Sequence, residues 1–117
     1  MTTDTKPKWD CETIDNVTLL GVAKGAGMIE PNMATMLSYF VTDANLSHKL
    51  LQIMLSRVVN KSFNRISIDT DTSTSDTVVI LANGRAGEVN TEKFEEAFTR
   101  SAVYLAKEIA RDGEGSK

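Results

Sequence analysis

An alanine followed by a threonine, Ala34-Thr35, stands at the end of a stretch marked by Lys24, Gly25, Gly27 and Pro31. A hydroxyl beside the carbonyl of a small residue is where a chain can cut itself. The Thr35 hydroxyl would attack the Ala34 carbonyl, and the amine freed by the cut could then serve the same hydroxyl as its base. A free α-amine has a pKa of about 7.7–8.0, well placed to accept a proton near neutral pH. Judged on local pattern alone, Thr35 is a strand residue, because threonine is β-branched and an apolar run follows. Lys24 is by the same standard a solvated loop lysine. Its functional reading is a carboxylate binder, held in a loop whose glycines allow close backbone approach. The order Lys-Gly-x-Gly is not a P-loop, in which the lysine follows the glycines.

Three other groups of residues bear on chemistry. His48 is the single histidine and falls in the first turn of a predicted helix, so it gives little support to a Ser-His-Asp or Cys-His arrangement. The segment Asp69-Thr70-Asp71-Thr72-Ser73-Thr74-Ser75-Asp76 opens like an EF-hand loop. Its sixth position is Thr74 rather than glycine and its twelfth is Ile80 rather than glutamate, so that reading fails. Asp69 and Asp71 after a short apolar strand also fit a magnesium-dependent phosphatase, but no later lysine and acidic pair complete it. The simpler reading is a turn whose hydroxyls and carboxylates satisfy backbone donors. Glu114, between Gly113 and Gly115, is either a surface residue at a helix end or an acceptor for a ligand ammonium.

These residues need elements to position them. Residues 1–16 are polar and read as a loop. Val17–Ala23 and Met36–Val41 read as strands, with a loop at Gly25, Gly27 and Pro31 between them. Ser47 is a plausible N-cap, and Leu50, Leu51, Met54, Leu55, Val58 and Val59 recur at helical spacing behind it. Ile66–Ile68 reads as a short strand, and Thr77–Ala82 as a buried-type strand closed by Asn83-Gly84. A second helix is capped by Thr91, carries Phe94, Ala97, Phe98, Ser101, Ala102, Leu105 and Ile109 on one face, and ends at Asp112-Gly113. Interleaved strands and helices predict an α/β (α+β) class.

The chain has 117 residues, 41% of them hydrophobic, enough for one small domain with a core. The net charge of −3 is spread along the sequence with no basic stripe, which argues against a nucleic-acid partner. The longest apolar run, Val78–Ala82, is too short to cross a bilayer, and the N-terminus lacks the apolar core of a signal peptide. Cys11 is alone, so no internal disulfide forms. A soluble protein of a reducing compartment, the cytoplasm, is expected.

In their order along the chain these features resemble the ArgJ family of glutamate and ornithine N-acetyltransferases. The resemblance is carried by Ala23-Lys24-Gly25-Ala26-Gly27-Met28 and Pro31-Asn32-Met33-Ala34-Thr35-Met36-Leu37, then Thr42-Asp43-Ala44-Asn45, Phe63-Asn64-Arg65-Ile66-Ser67, Asp71–Thr77, Leu81–Gly84 and Arg111–Gly115. It implies a mixed-sheet sandwich with helices packed on the sheet, incomplete here. It implies a cut between Ala34 and Thr35, so that residues 1–34 end a small subunit and 35–117 begin a large one. Thr35 is then the nucleophile of a ping-pong transfer of acetyl from N-acetylornithine to glutamate. Thr2 (or Thr3), Lys24, Thr35 and Glu114 fall on the family's substrate-binding positions. Lys24 would take the substrate carboxylate and Glu114 its ammonium. No metal or cofactor is implied, although some members also use acetyl-CoA as donor. The cleaved subunits of the family assemble as α2β2 heterotetramers. Members are longer than this chain, with a Thr-Gly oxyanion hole before the position of Met1 and binding residues after that of Lys117. The expectation is therefore an internal fragment, inactive alone. The competing readings are a non-catalytic truncated product and, further off, the Asp69/Asp71 phosphatase.

Overall fold

Alternation of side chains along the early part of the chain builds a sheet. The computed structural model describes residues 7–30, 33–62 and 73–115, with side chains described over 7–24, 37–62 and 78–109. Its elements are β1 (Lys8–Ile14), β2 (Val17–Glu30), β3 (Met33–Ala44), α1 (His48–Lys61), β4 (Ser73–Gly87) and α2 (Thr91–Gly115). The strands form one mixed sheet in the order β1-β2-β3-β4. β1, β2 and β3 are an antiparallel meander, and β4 lies parallel to β3. A parallel neighbour needs a crossover, and α1 lies within it. This is the α/β class expected from the sequence.

Both helices cover the same side of the sheet: α2 packs on β1 and β2, and α1 packs on α2 and β4. Val17, Leu19 and Ala23 of β2 and Ser38, Phe40, Thr42 and Ala44 of β3 are buried toward them. The α2 face predicted from helical spacing is the one that docks, with Phe94, Ala97, Phe98, Ser101, Ala102 and Leu105 all buried. In α1, Leu51, Met54 and Val58 are buried, and Ser47 caps the helix by accepting a hydrogen bond from the Leu50 amide at 3.1 Å.

The fit of α2 to the sheet turns on Gly21. A Cβ there would stand 2.6 Å from Phe40 Cε1 and 3.0 Å from Leu105 Cδ1. Only the absence of that carbon lets Phe40 lie flat over β2 and meet Phe98 edge-on, with ring centroids 4.9 Å apart.

The other side of the sheet is uncovered among the described residues. Register places Trp9, Val22, Tyr39 and Val79 in one row across the four strands, and Cys11, Leu20, Val41 and Leu81 in the next. Trp9 is 66% exposed and Leu81 62%.

Several boundaries differ from the sequence reading. Lys8–Ile14 is a strand rather than part of a loop; its helix-side positions are charged, and Glu12 meets Arg100 of α2 at 2.8 Å. β2 runs to Glu30 and β3 starts at Met33, because the glycine-rich segment is paired as a hairpin. Ser73–Asp76 belongs to β4, and that strand continues past Asn83-Gly84 to Gly87, with Gly84 at φ 75° and Gly87 at φ 90°. Asn90, not Thr91, caps α2, accepting from the Lys93 amide at 2.9 Å; asparagine is the stronger capping residue. α2 passes through Gly113 to Gly115, a length its docked face supports against the cost of about 1 kcal/mol for a helical glycine. The predicted strand Ile66–Ile68 lies outside the described residues.

Replacing Gly21 by alanine should lower the unfolding free energy by about 1–3 kcal/mol through overpacking against Phe40 and Leu105. Urea titration reads this, and an unchanged midpoint would show that the two side chains have room to retreat. A second expectation concerns Arg57 of α1, which donates to Glu95 of α2 through Nε at 2.8 Å and Nη2 at 2.6 Å. The hydrogen bond from Arg57 holds the Glu95 carboxyl below the usual carboxylate range, against the opposing effect of burial. A group lowered in the folded state stabilises above its ordinary pKa, and that contribution is lost as pH falls through the folded value. Glu95→Gln should therefore flatten the fall of Tm between about pH 6 and pH 3. Equal slopes in both proteins would remove the pair from the acid response.

Candidate active site

The Ala34–Thr35 bond lies near the start of β3, an interior strand with a neighbour on each side. On the β2 side, Gly25 pairs with Met36 and Met28 with Ala34, so two residues, Ala26 and Gly27, stand opposite the single Thr35. This is a β-bulge, a local break in the ladder of the kind found beside active sites. On the β4 side the register is regular: Thr74 pairs with Ala34, Ser75 with Thr35 and Asp76 with Met36.

The register that fixes these neighbours is pinned at the other end of the hairpin. The Thr18 amide donates to Asp43 Oδ1 at 2.8 Å, and Thr42 Oγ1 donates to the Thr18 carbonyl at 2.7 Å. The same Thr42 oxygen accepts from the Ala44 amide at 3.2 Å. A slip of one residue would turn every β2 side chain to the wrong face, and these bonds oppose it.

Lys24 is exposed on β2 and pairs with Leu37, two positions along β3 from Thr35. Diagonal neighbours of that kind lie about 7–8 Å apart. Lys24 follows buried Ala23, so it sits on the uncovered side of the sheet.

Glu114 is in the last turn of α2, on the opposite side. α2 runs from the β1–β2 turn, where Lys93 approaches Asp15 at 4.0 Å, toward the junction end of the sheet, with Leu105 over Gly21. A rise of about 1.5 Å per residue carries position 114 some 13 Å beyond Leu105, the advance of about four strand residues. The fold thus brings Glu114 level with the junction but leaves Lys24 and α2 on different faces. The Glu114 side chain lies outside those described.

Thr2, Thr3, Asp69 and Asp71 lie outside the described residues. His48 opens α1 beyond the far end of β3, roughly 30 Å of strand from Thr35. It cannot serve Thr35 as a base from there. No cluster of His, Cys, Asp or Glu able to hold a metal occurs among the described residues. No described helix is long and apolar enough to cross a membrane.

The serine- and threonine-rich segment predicts a turn, whereas Ser75 lies within β4. Its signal was the β-branched pair Thr74 and Thr77 leading into the apolar run of β4.

Ala34-Thr35 thus lies in an interior strand beside a bulge, and Lys24 of the neighbouring strand pairs two positions along from Thr35. The ArgJ family profile matches residues 1–117, and the chain belongs to the ArgJ family. It is 59% identical over 115 residues to the arginine biosynthesis bifunctional protein ArgJ 2 of Clostridium acetobutylicum, covering 98% of this chain and 30% of that protein. It is 53% identical over 116 residues to the glutamate N-acetyltransferase Oat2 of Streptomyces clavuligerus (99% and 30% covered). Against the arginine biosynthesis bifunctional protein ArgJ of Thermus thermophilus it is 47% identical over 116 residues (99% and 30% covered). The chain spans about 30% of the length of these relatives.

The pinning bonds carry a prediction of their own. Asp43→Ala should cost about 1 kcal/mol of stability, and hydrogen exchange should show the Thr18 amide losing protection before the rest of β2. Unchanged exchange at Thr18 would show that the carboxylate does not hold the register.

Proposed function

We propose that these residues form the self-cleavage junction of an ornithine/glutamate N-acetyltransferase of arginine biosynthesis. The placement of Ala34-Thr35 in an interior strand, beside a bulge and near Lys24, carries the reading, together with membership of the ArgJ family. The names of its relatives supply the reaction: arginine biosynthesis in one case, glutamate N-acetylation in another.

In this reading the chain is cut before Thr35. The new α-amine takes the proton of the Thr35 hydroxyl as that oxygen attacks the acetyl carbonyl of N-acetylornithine. Ornithine leaves, and glutamate then collects the acetyl group from Thr35. Lys24 binds the substrate carboxylate; Thr2 and Glu114 complete the substrate contacts, with Glu114 taking the ammonium. Holding the acyl group in line with the hydroxyl is what such contacts contribute. Acetyl-CoA is a further donor for this chemistry, and the cut subunits assemble as an α2β2 heterotetramer in the cytoplasm.

The 117 residues alone do not carry out the transfer. They span a minor share of the relatives' length, and the described residues leave one side of the sheet uncovered, so they act as a non-catalytic piece. Losing one oxyanion-hole donor costs about 10²–10³ in rate, and losing a whole hole costs more.

The test uses a full-length protein in which these residues replace the matching segment of the Clostridium acetobutylicum relative. Mass spectrometry should find two chains separated before Thr35, together with acetyl transfer from N-acetylornithine to glutamate. Thr35→Ala should leave one uncut, inactive chain, and the 117-residue chain alone should show no transfer. A single uncut chain in the parent protein would defeat the reading.

A further inference from the structure

Register brings a second hydroxyl residue to the junction. Ser75 of β4 is the residue paired with Thr35, on the side where the ladder is regular. The β2 side offers nothing comparable, since Ala26 and Gly27 stand opposite Thr35 there. Neighbouring strands run about 4.8 Å apart, so paired positions are the closest approach the sheet allows between residues of different strands.

The composition of β4 changes at the same level. Val79 and Leu81 take the positions paired with Tyr39 and Val41. At the same parity toward the strand's start come Thr77, Ser75 and Ser73, paired with Leu37, Thr35 and Met33. The apolar run of β4 is its middle, Val78–Ala82, and Asn83 and Arg85 follow at the same parity beyond it. Serine is not among the residues that strands favour. The switch from apolar to hydroxyl residues falls at the row that holds Lys24, Leu37 and Thr77.

The cut needs a proton moved before any free α-amine exists. His48 is at the far end of β3, and Lys24 lies a row away from Thr35. We propose that Ser75 is a further residue of the self-cleavage site, relaying the proton of the Thr35 hydroxyl to the Thr35 nitrogen as the Ala34–Thr35 bond opens. This rests on the reading of Thr35 as the attacking residue.

The step balances without an added oxidant or reductant. Thr35 Oγ bonds to the Ala34 carbonyl carbon and gives its proton to Ser75 Oγ. Ser75 passes its own proton to the Thr35 nitrogen, and the C–N bond breaks. Ala34 is left as an ester on Thr35, beside a free amine. Water then hydrolyses the ester, leaving the Ala34 carboxylate and restoring the Thr35 hydroxyl.

The experiment follows the rate of cutting in the same full-length protein, by intact mass against time after translation. Ser75→Val and Ser75→Thr are nearly isosteric and differ in the hydroxyl, so their comparison separates proton transfer from packing. Removing a positioned acid–base group typically costs about 10²–10⁴ in rate. Ser75→Val should cut at least about 100-fold more slowly than the parent, and Ser75→Thr within about tenfold of it. Ser73→Ala, two positions away on the same strand, should cut at the parental rate. Far-UV circular dichroism of the uncut variants should match that of Thr35→Ala. Parental cutting by Ser75→Val overturns the relay and leaves the Thr35 reading standing. Equal slowing in Ser75→Val and Ser75→Thr also overturns it, in favour of packing. A parent that never cuts defeats the Thr35 reading and the relay together.

Discussion

The absence of one carbon atom at Gly21 decides how the two layers meet. Phe40 lies in the space a Cβ would fill, beneath Leu105 and against the edge of Phe98. That contact joins β2, β3 and α2 at one point, and the small residues Ala97, Ser101 and Ala102 keep the buried face of α2 low. With α2 seated, Arg57 reaches Glu95 and Arg100 reaches Glu12, so α1 and the edge strand are located from the same helix. These exposed pairs orient more than they stabilise. Among the described residues, the buried hydroxyls without a partner, Ser38 and Ser101, belong to the same tight layer, where small volume outweighs hydrogen bonding.

Among the described residues the sheet is covered on one side only. Two full rows of side chains, from Trp9 to Val79 and from Cys11 to Leu81, face away from the helices and carry no charge. Over Val78–Ala82 β4 is apolar at both parities, Val78 and Ile80 toward the helices and Val79 and Leu81 away from them. That is the pattern of a strand in a parallel pair, which ordinarily has cover on both faces. The chain spans about 30% of the length of its relatives, and the uncovered rows are where a second layer would add most buried area.

Much of this was readable in the residues. The docked face of α2 follows from helical spacing, and the Ser47 cap from its side chain. Ala34-Thr35 stood out by residue type and surroundings. What the sequence hid had physical causes. β1 puts charges on its inner positions because it is an edge strand beside the polar flank of α2, so its alternation reads as loop. The glycines near residue 25 signal a turn, yet pairing with β3 holds them in a strand and turns their freedom into a bulge. Asn90 outcompeted its neighbour as a cap. The partnership of Thr35 with Ser75 is a matter of register between strands separated by a crossover, and no local pattern encodes that.

An interior strand is held from both sides, and this separates architecture from covalent continuity. Residues before the Ala34–Thr35 bond are tied into the sheet through β1 and the length of β2; residues after it are tied through β4 and both helices. A nick at that bond would remove no layer and expose no core. The two resulting polypeptides would stay interlocked as halves of one ladder, indistinguishable from the intact molecule in outline and separable only where the fold itself is undone.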